Sequence, residues 1–269
     1  MTSIEIVPFT TDHLTAAQRL SAAAGWPHRI EDWAFTLKVS GGFAAVADGR
    51  VVGTALCSPM GDRAGINMII VEKDLRGQGL GRRLMEAALT LAGDRDLQLT
   101  ATAEGRPLYE KLGFVAVGQV LQCQGHVQTI PVAPHVALRP ATADDLDTIC
   151  AMDRDATGSD RRGLLAELLA NDRVLIGETG FGAVRTFGKG RLIGPVVAAD
   201  RSTALALIAT FAEPGQFLRI DVTDDADLAP VLSGAGLTVL PPEVAMVRGA
   251  SAPVPERFRR YALVSQALG

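Results

Sequence analysis

Three glycines and three arginines are crowded into eight residues, Arg76-Gly77-Gln78-Gly79-Leu80-Gly81-Arg82-Arg83. Glycine has no Cβ, so main-chain N–H groups beside it can come close to a ligand. Where such a turn opens a helix, the first amides lack carbonyl partners and the helix dipole adds positive potential. The arginines contribute further charge. This chemistry is phosphate binding, and a pyrophosphate is the expected occupant. A P-loop would end in Gly-Lys-Ser/Thr, which is missing here, and glycines at 77, 79 and 81 do not fit Gly-x-Gly-x-x-Gly.

The elements that position this turn follow from periodicity. Met68-Ile69-Ile70-Val71 is an apolar, β-branched run that reads as a buried strand, and residues 72–75 turn the chain. Leu80, Leu84, Ala87, Ala88 and Leu91 then recur at helical spacing, with Gly93 as the C-terminal cap. Upstream, Ile4–Pro8 reads as a strand, and Thr10, Thr11 and Asp12 start a helix to about Ala24. Gly25-Trp26-Pro27-His28 breaks it, and a second helix begins near Ile30 with Trp33 and Leu37 four apart. Phe43–Ala47 and Val51–Cys57 form a hairpin about Asp48-Gly49. Downstream come a strand at Leu97–Thr102, a helix at Arg106–Leu112 closed by Gly113, and a final strand pair within Phe114–Gln128. The order β-α-α-β-β-β-α-β-α-β predicts an α/β fold, a mixed twisted sheet with flanking helices.

Val71 followed by Arg76-x-x-Gly79-x-Gly81 resembles the acyl-CoA-binding motif of the GNAT N-acetyltransferase superfamily. Leu108-Tyr109-Glu110-Lys111-Leu112-Gly113-Phe114 resembles its second hallmark, Leu-Tyr-x-x-x-Gly-Phe, at the usual distance. The resemblance implies acetyl-CoA as co-substrate and direct acetyl transfer to a primary amine of a small-molecule or peptide acceptor. Ile69, Ile70 and Val71 would run beside the pantetheine arm, with Ile69 and Val71 pairing to it as to an added strand. The amides of Gly77, Gln78, Gly79, Leu80, Gly81 and Arg82 would hold the pyrophosphate, with Arg76, Arg82 and Arg83 as candidates for the adenosine phosphate. Tyr109 resembles the general acid that protonates the departing thiolate. Neither motif contains a cysteine, which argues against a covalent acyl-enzyme. Trp26, His28 and Trp33 lie where the family shapes its acceptor pocket, and core packing fits these aromatics at least as well, especially Trp33 at helical spacing with Leu37.

The sequence departs from the family in two places. The connection Ala103-Glu104-Gly105-Arg106-Pro107 has no CoA-holding asparagine, and the strand before it offers Thr100 where a carboxylate is usual. Glu104, Glu72, His28, Glu31 and Asp32 are the candidate bases. The missing carboxylate keeps open a competing class, a non-catalytic acyl-CoA-binding or interaction module.

After Pro131 and Pro134, read as a linker, the pattern restarts. Arg139-Pro140-Ala141-Thr142-Ala143-Asp144-Asp145-Leu146 echoes Val7-Pro8-Phe9-Thr10-Thr11-Asp12-His13-Leu14. Two GNAT-like domains in tandem are expected, a catalytic one over residues 1–130 and a degenerate copy over 136–269. In the second copy Ala198-Ala199-Asp200-Arg201 replaces the glycine turn, and Leu232 stands where Tyr109 does in the first. That copy is expected to wall the first. Its tail, Phe258–Leu268, reads as either a strand or a helix.

The bulk properties narrow the partners. With 269 residues, 48% hydrophobic and 21% charged, the chain has material for two cored domains. A net charge of −4 and only 5% aromatic residues argue against a nucleic-acid or anionic-membrane partner. Cys57, Cys123 and Cys150 are widely spaced and form no metal motif, so reduced thiols in a cytoplasm and no bound metal are expected. A monomer or a homodimer fits these properties equally.

Overall fold

A computed structural model describes residues 3–131, 136–250 and 255–269. Pro134 of the expected linker lies outside the described residues. The first half runs β1 (Ile4–Pro8), α1 (Leu14–Ala23), α2 (Ile30–Lys38), β2 (Gly41–Ala47), β3 (Arg50–Met60) and β4 (Arg63–Val71). It continues with α3 (Leu80–Ala92), β5 (Asp96–Ala101), α4 (Arg106–Lys111) and β6 (Val115–His126), the order expected from the sequence. The second half repeats it with β7 (Arg139–Pro140), α5 (Leu146–Thr157), α6 (Arg162–Asn171), β8 (Arg173–Gly177), β9 (Gly180–Phe187) and β10 (Gly190–Ala198). Then come α7 (Arg201–Phe211), β11 (Phe217–Thr223), α8 (Ala229–Gly234), β12 (Thr238–Val239), β13 (Glu243–Arg248) and β14 (Arg259–Ala262).

Local chemistry sets these elements. Asp48 (φ +49°) and Gly49 (φ +73°) both take the left-handed conformation that a two-residue hairpin turn requires. On α3, Leu80, Leu84, Met85, Ala88 and Ala92 face the sheet; Leu91, expected on that face, is 40% exposed. Trp33 is fully buried against Phe9, with its indole N–H donating to Ser21 Oγ at 3.1 Å. It is therefore core, not a pocket residue.

All the described strands join one sheet, ordered β1-β2-β3-β4-β5-β13-β6-β11-β14-β10-β9-β8-β7, with β12 pairing on β6. The join is an exchange. β13, from the second half, pairs antiparallel with β5 and β6, whereas β6, from the first, pairs antiparallel with β11. The strand pair expected within Phe114–Gln128 is thus a single strand whose three neighbours, β11, β12 and β13, all come from the second half. Backbone donors and acceptors along β6 are satisfied only when the two halves are together.

Each half also splits at the same place. β4 and β5 pair in parallel only over Arg63–Gly65 and Asp96–Gln98; β10 and β11 pair only over Arg191–Ile193 and Leu218–Ile220. Beyond those three pairs the strands diverge. In the first half β4 from Ile66 onward has no strand on that side among the described residues. In the second, β14 enters the split, pairing antiparallel with β10 over Val196–Ala198 and with β11 at Val222. Of the undecided tail, Arg259–Ala262 is a strand, and residues 263–268 continue through a bend and a turn.

Candidate active site

The open split and the glycine turn are contiguous. β4 leads through a short 3-10 turn at Lys73–Leu75 to Gly77 (φ +75°) and Gly79 (φ +83°), the left-handed N-cap of α3. A Cβ built on either glycine meets nothing within 4 Å, so the turn borders open space. Arg83 N–H donates to Gly79 O at 3.1 Å; the amides of Leu80, Gly81 and Arg82 precede it and have no carbonyl one turn back. Gln78 ties the turn down, its Nε2 donating to Asp74 O at 3.0 Å. Arg76 folds back to donate to Val71 O at 3.1 Å, Arg82 pairs with Glu86 at 2.8 Å, and Arg83 donates to Ile4 O at 2.9 Å. These arginines brace the turn, while the unpaired amides face outward from the helix start.

Of the three strand residues, Ile70 is buried against the α1–α2 layer with Trp33 and Phe9, and Ile69 and Val71 pack toward α3. β4 is irregular just before them. Thr54 on β3 stands opposite Ile70 but Leu56 opposite Asn67, so β4 carries one extra residue, and Met68 adopts φ +51°. Thr54 Oγ1 donates to Met68 O at 2.7 Å and fixes this bulge. Bulges of this kind re-aim a strand beside a site.

The same split opens into a cavity of about 480 Å3. Ile66–Ile69 of the bulge, Thr100, Thr102 and Tyr109 line it from the first half, as do Trp26 and His28 from the α1–α2 connection. Its other side belongs to the second half: Phe187 and Lys189 after β9, Phe217 and Arg219 on β11, Glu243 on β13, and Ser265–Ala267 following β14. Tyr109 is buried, its ring edge-on to Phe114 and packed over Gly105, where a Cβ would sit 3.0 Å from its hydroxyl. Burial, and then the charge of Glu243, push its phenol up to about 12, so it carries its proton across the neutral range.

Most of the expected bases sit elsewhere. Glu72 is shared by Arg19 and Arg50, and Glu31 and Glu104 are exposed. Asp32 is fully engaged: it accepts from Arg29 Nη2 at 2.8 Å and from the backbone N–H of Gly188 at 3.0 Å, with Arg185 at 3.6 Å. Burial opposes its charge, and these hydrogen bonds overcome that and hold its carboxyl below the usual range. Asp32 instead pins the β9–β10 turn of the second half onto the first. Only His28 among the five lines the cavity. Its Nδ1 is buried without a hydrogen-bond partner, and burial, with the Arg219 charge, lowers its pKa to about 4.

The carboxylate that sequence reasoning missed is Glu243. It shares the cavity with Tyr109 and has no ion pair among the described residues. Burial and the nearby Asp221 raise its pKa above the ordinary value. In the sequence it begins an apolar strand of a half that carries no cradle, and nothing local marks it.

Among the described residues, no helix is long and apolar enough to cross a membrane, and no group of three His, Cys, Asp or Glu could hold a metal.

Comparison with known proteins agrees with this architecture. A model described as the acetyltransferase (GNAT) family matches residues 7–114, and a GNAT acetyltransferase domain model matches residues 149–262. The chain is 28% identical over 278 residues to the uncharacterized N-acetyltransferase YitH of Bacillus subtilis, covering 98% of each protein. A putative acetyltransferase from Pyrococcus horikoshii superposes with a TM-score of 0.84 at 20% identity, over 99% of this chain and 96% of that one. A tandem GNAT protein from the clavulanic acid biosynthesis pathway superposes with a TM-score of 0.63 at 16% identity, over 93% and 100%. Together the two family matches span most of the sequence, and the chain belongs to the GNAT acetyltransferases, with two GNAT domains in tandem.

Proposed function

We propose that the chain is an acyl-CoA-dependent N-acyltransferase that moves an acetyl group from acetyl-CoA to a primary amine by direct transfer. The observation that carries this reading is the single open split, with the unpaired helix-start amides at one end and Tyr109 at the other. Main-chain donors of Gly77–Arg82 suit a pyrophosphate, the strand edge of β4 at Ile69–Val71, where Arg76 caps the Val71 carbonyl, suits the amides of a pantetheine arm that displaces that side chain, and no side chain blocks the path at Gly77 or Gly79.

When bound, acetyl-CoA supplies an activated thioester. The residues of the chain supply proton control. Glu243 takes one proton from the acceptor ammonium, leaving a lone pair on nitrogen to form the C–N bond as the C–S bond breaks. Tyr109 O–H donates to the leaving sulfur and regains a proton from the second N–H through water. The net exchange is one amide formed, one thiol released and one proton lost to solvent. A phenol held at about 12 keeps its proton until sulfur departs, and a carboxylate raised by burial is a better base than an exposed one.

Tyr109→Phe tests the assignment. It keeps the ring and removes the donor, so CoA affinity should be unchanged while turnover falls about 10²-fold, as for loss of a general acid. The assay is thiol release from acetyl-CoA over a panel of amines. CoA binding without amine-stimulated thiol release in the unaltered chain would contradict the transferase reading.

A further inference from the structure

The floor of the cavity is a stripe of polar side chains across a sheet whose opposite face is core. The registers show why they share a face. Glu243 stands opposite Val120, Gln122 opposite Asp221, and Gln124 opposite Arg219, with successive pairs two residues apart. The intervening Cys123, Leu218, Ile220 and Val222 are buried in the apolar layer beneath α7. Period-two alternation puts polar groups on the cavity side of strands exchanged between the halves.

The charges and the neutral groups of this stripe define a ligand. Arg219 lies flat against Asp221, both Nε and Nη2 at 2.9 Å from its carboxylate oxygens, so its guanidinium is already neutralised. Lys189 also lines the cavity but is exposed, where solvent and salt screen its charge, so the partly buried Glu243 is the uncompensated charge of the floor and favours a cation. Gln122 and Gln124, with Thr100 on β5, both donate and accept, as hydroxyl groups do. The Gln122 amide already donates to Gln124 Oε1 at 2.8 Å, which orients the pair. The rings of Trp26 and Phe217 add apolar surface to the lining, while the Phe187 ring is already covered by the Arg185 and Arg219 guanidinium groups, 4.8 and 5.3 Å from its centroid.

Resting on the transferase reading, we infer that this stripe is the acceptor subsite and that it takes a small hydroxylated primary amine of amino-sugar type. The ammonium docks on Glu243, the hydroxyls on the glutamine pair, and the C–H face of the ring on the aromatic wall. An anionic acceptor meets an unpaired carboxylate there, and an apolar amine leaves buried amides without partners.

The test uses the full chain saturated with CoA, which completes the cavity without allowing transfer. Quenching of tryptophan fluorescence, to which Trp26 in the wall contributes, reports binding of three matched six-membered rings. Glucosamine has hydroxyls and an ammonium, cyclohexylamine only the ammonium, and glucose only the hydroxyls. Glucosamine should bind at least about tenfold tighter than either. Glu243→Gln should bring its affinity to that of glucose, and Gln122→Leu should shift it toward that of cyclohexylamine, with CoA affinity unchanged in both. Cyclohexylamine or glucose binding as tightly as glucosamine overturns the inference, as does a Glu243→Gln variant that keeps full glucosamine affinity. Thiol release from acetyl-CoA, measured in parallel, separates the two claims. Selective glucosamine binding without release with any amine strikes the transfer reading, and release with only non-hydroxylated amines strikes the subsite.

Discussion

The two halves contain the same split between parallel strands and use it in opposite ways. In the first, β4 and β5 part after Gly65 and Gln98, no strand among the described residues fills the opening, and a glycine turn leads into α3. In the second, β10 and β11 part after Ile193 and Ile220, and β14 fills the opening with the chain's own backbone. The turns differ correspondingly. Asp200 caps α7 with its side chain, accepting from the Thr203 amide at 2.8 Å, so a carboxylate satisfies a donor that an anion would need. The second split is structural because the peptide strand supplies the hydrogen bonds that a pantetheine arm would supply in the first. The residues after β14 then run back to line the first cavity, so closing one site helps to build the other.

The largest effect is expected where that closure is tightest. A Cβ on Gly194 of β10 would stand 1.8 Å from the carbonyl oxygen of Leu263, a backbone atom that cannot rotate away. Gly194→Ala should destabilise the chain by about 2–4 kcal/mol in denaturant unfolding, yet create no second CoA site. A variant of unchanged stability would show that β14 does not hold the second split.

Acid should weaken the joint between the halves by a comparable amount. His28 packs edge-on to Phe187 of the second half, 5.1 Å between centroids, and its pKa is lowered to about 4 from 6.5. The unfolded chain therefore binds the extra proton first, and stability falls as pH drops from about 6.5 toward 4, by up to about 3 kcal/mol. His28→Gln should flatten that part of the unfolding-versus-pH curve. A slope that survives the substitution would assign it to other groups.

Smaller effects separate the glycines of the open turn. Gly79 sits at φ +83°, so any side chain there is strained, but Asp tolerates the left-handed region better than most. Gly79→Asp should cost about 1 kcal/mol in folding and abolish thermal stabilisation by CoA through like-charge repulsion at the cradle. At Gly81 a Cβ meets only Leu108 and Val71, each at 3.7 Å, an ordinary contact on the protein side of the helix. Gly81→Ala should change stability by less than about 1 kcal/mol, in the favourable direction for a helix, and leave CoA binding intact. Unchanged CoA binding in Gly79→Asp would mean that the pyrophosphate lies elsewhere.

Much of this was legible in the sequence where one element carries its own signal. The element order of the first half, the glycine turn, the Tyr109 helix and the repeat beginning at Arg139 all follow from local periodicity and spacing. What could not be read is which strands meet. β6 carries the same alternation whether its neighbour is four residues away or more than a hundred, so the exchange with β13 leaves no local mark. That exchange brings Glu243 into the cavity that Tyr109 lines. One trace was available. Gln122 and Gln124, and likewise Arg219 and Asp221, alternate with Cys123 and Ile220 on strands otherwise suited to burial, and polar residues at period two on a central strand point to a chamber. For Trp33 the helical spacing with Leu37 already pointed to the core, and the fold sets Phe9 against it.

Isothermal titration of the full chain with CoA tests the contrast between the splits most directly. One molecule per chain is predicted, with binding lost in Gly79→Asp and kept when the second half's turn is altered at Asp200. Two equivalent sites per chain, or one site that survives Gly79→Asp and disappears on substitution of Asp200, would contradict the account.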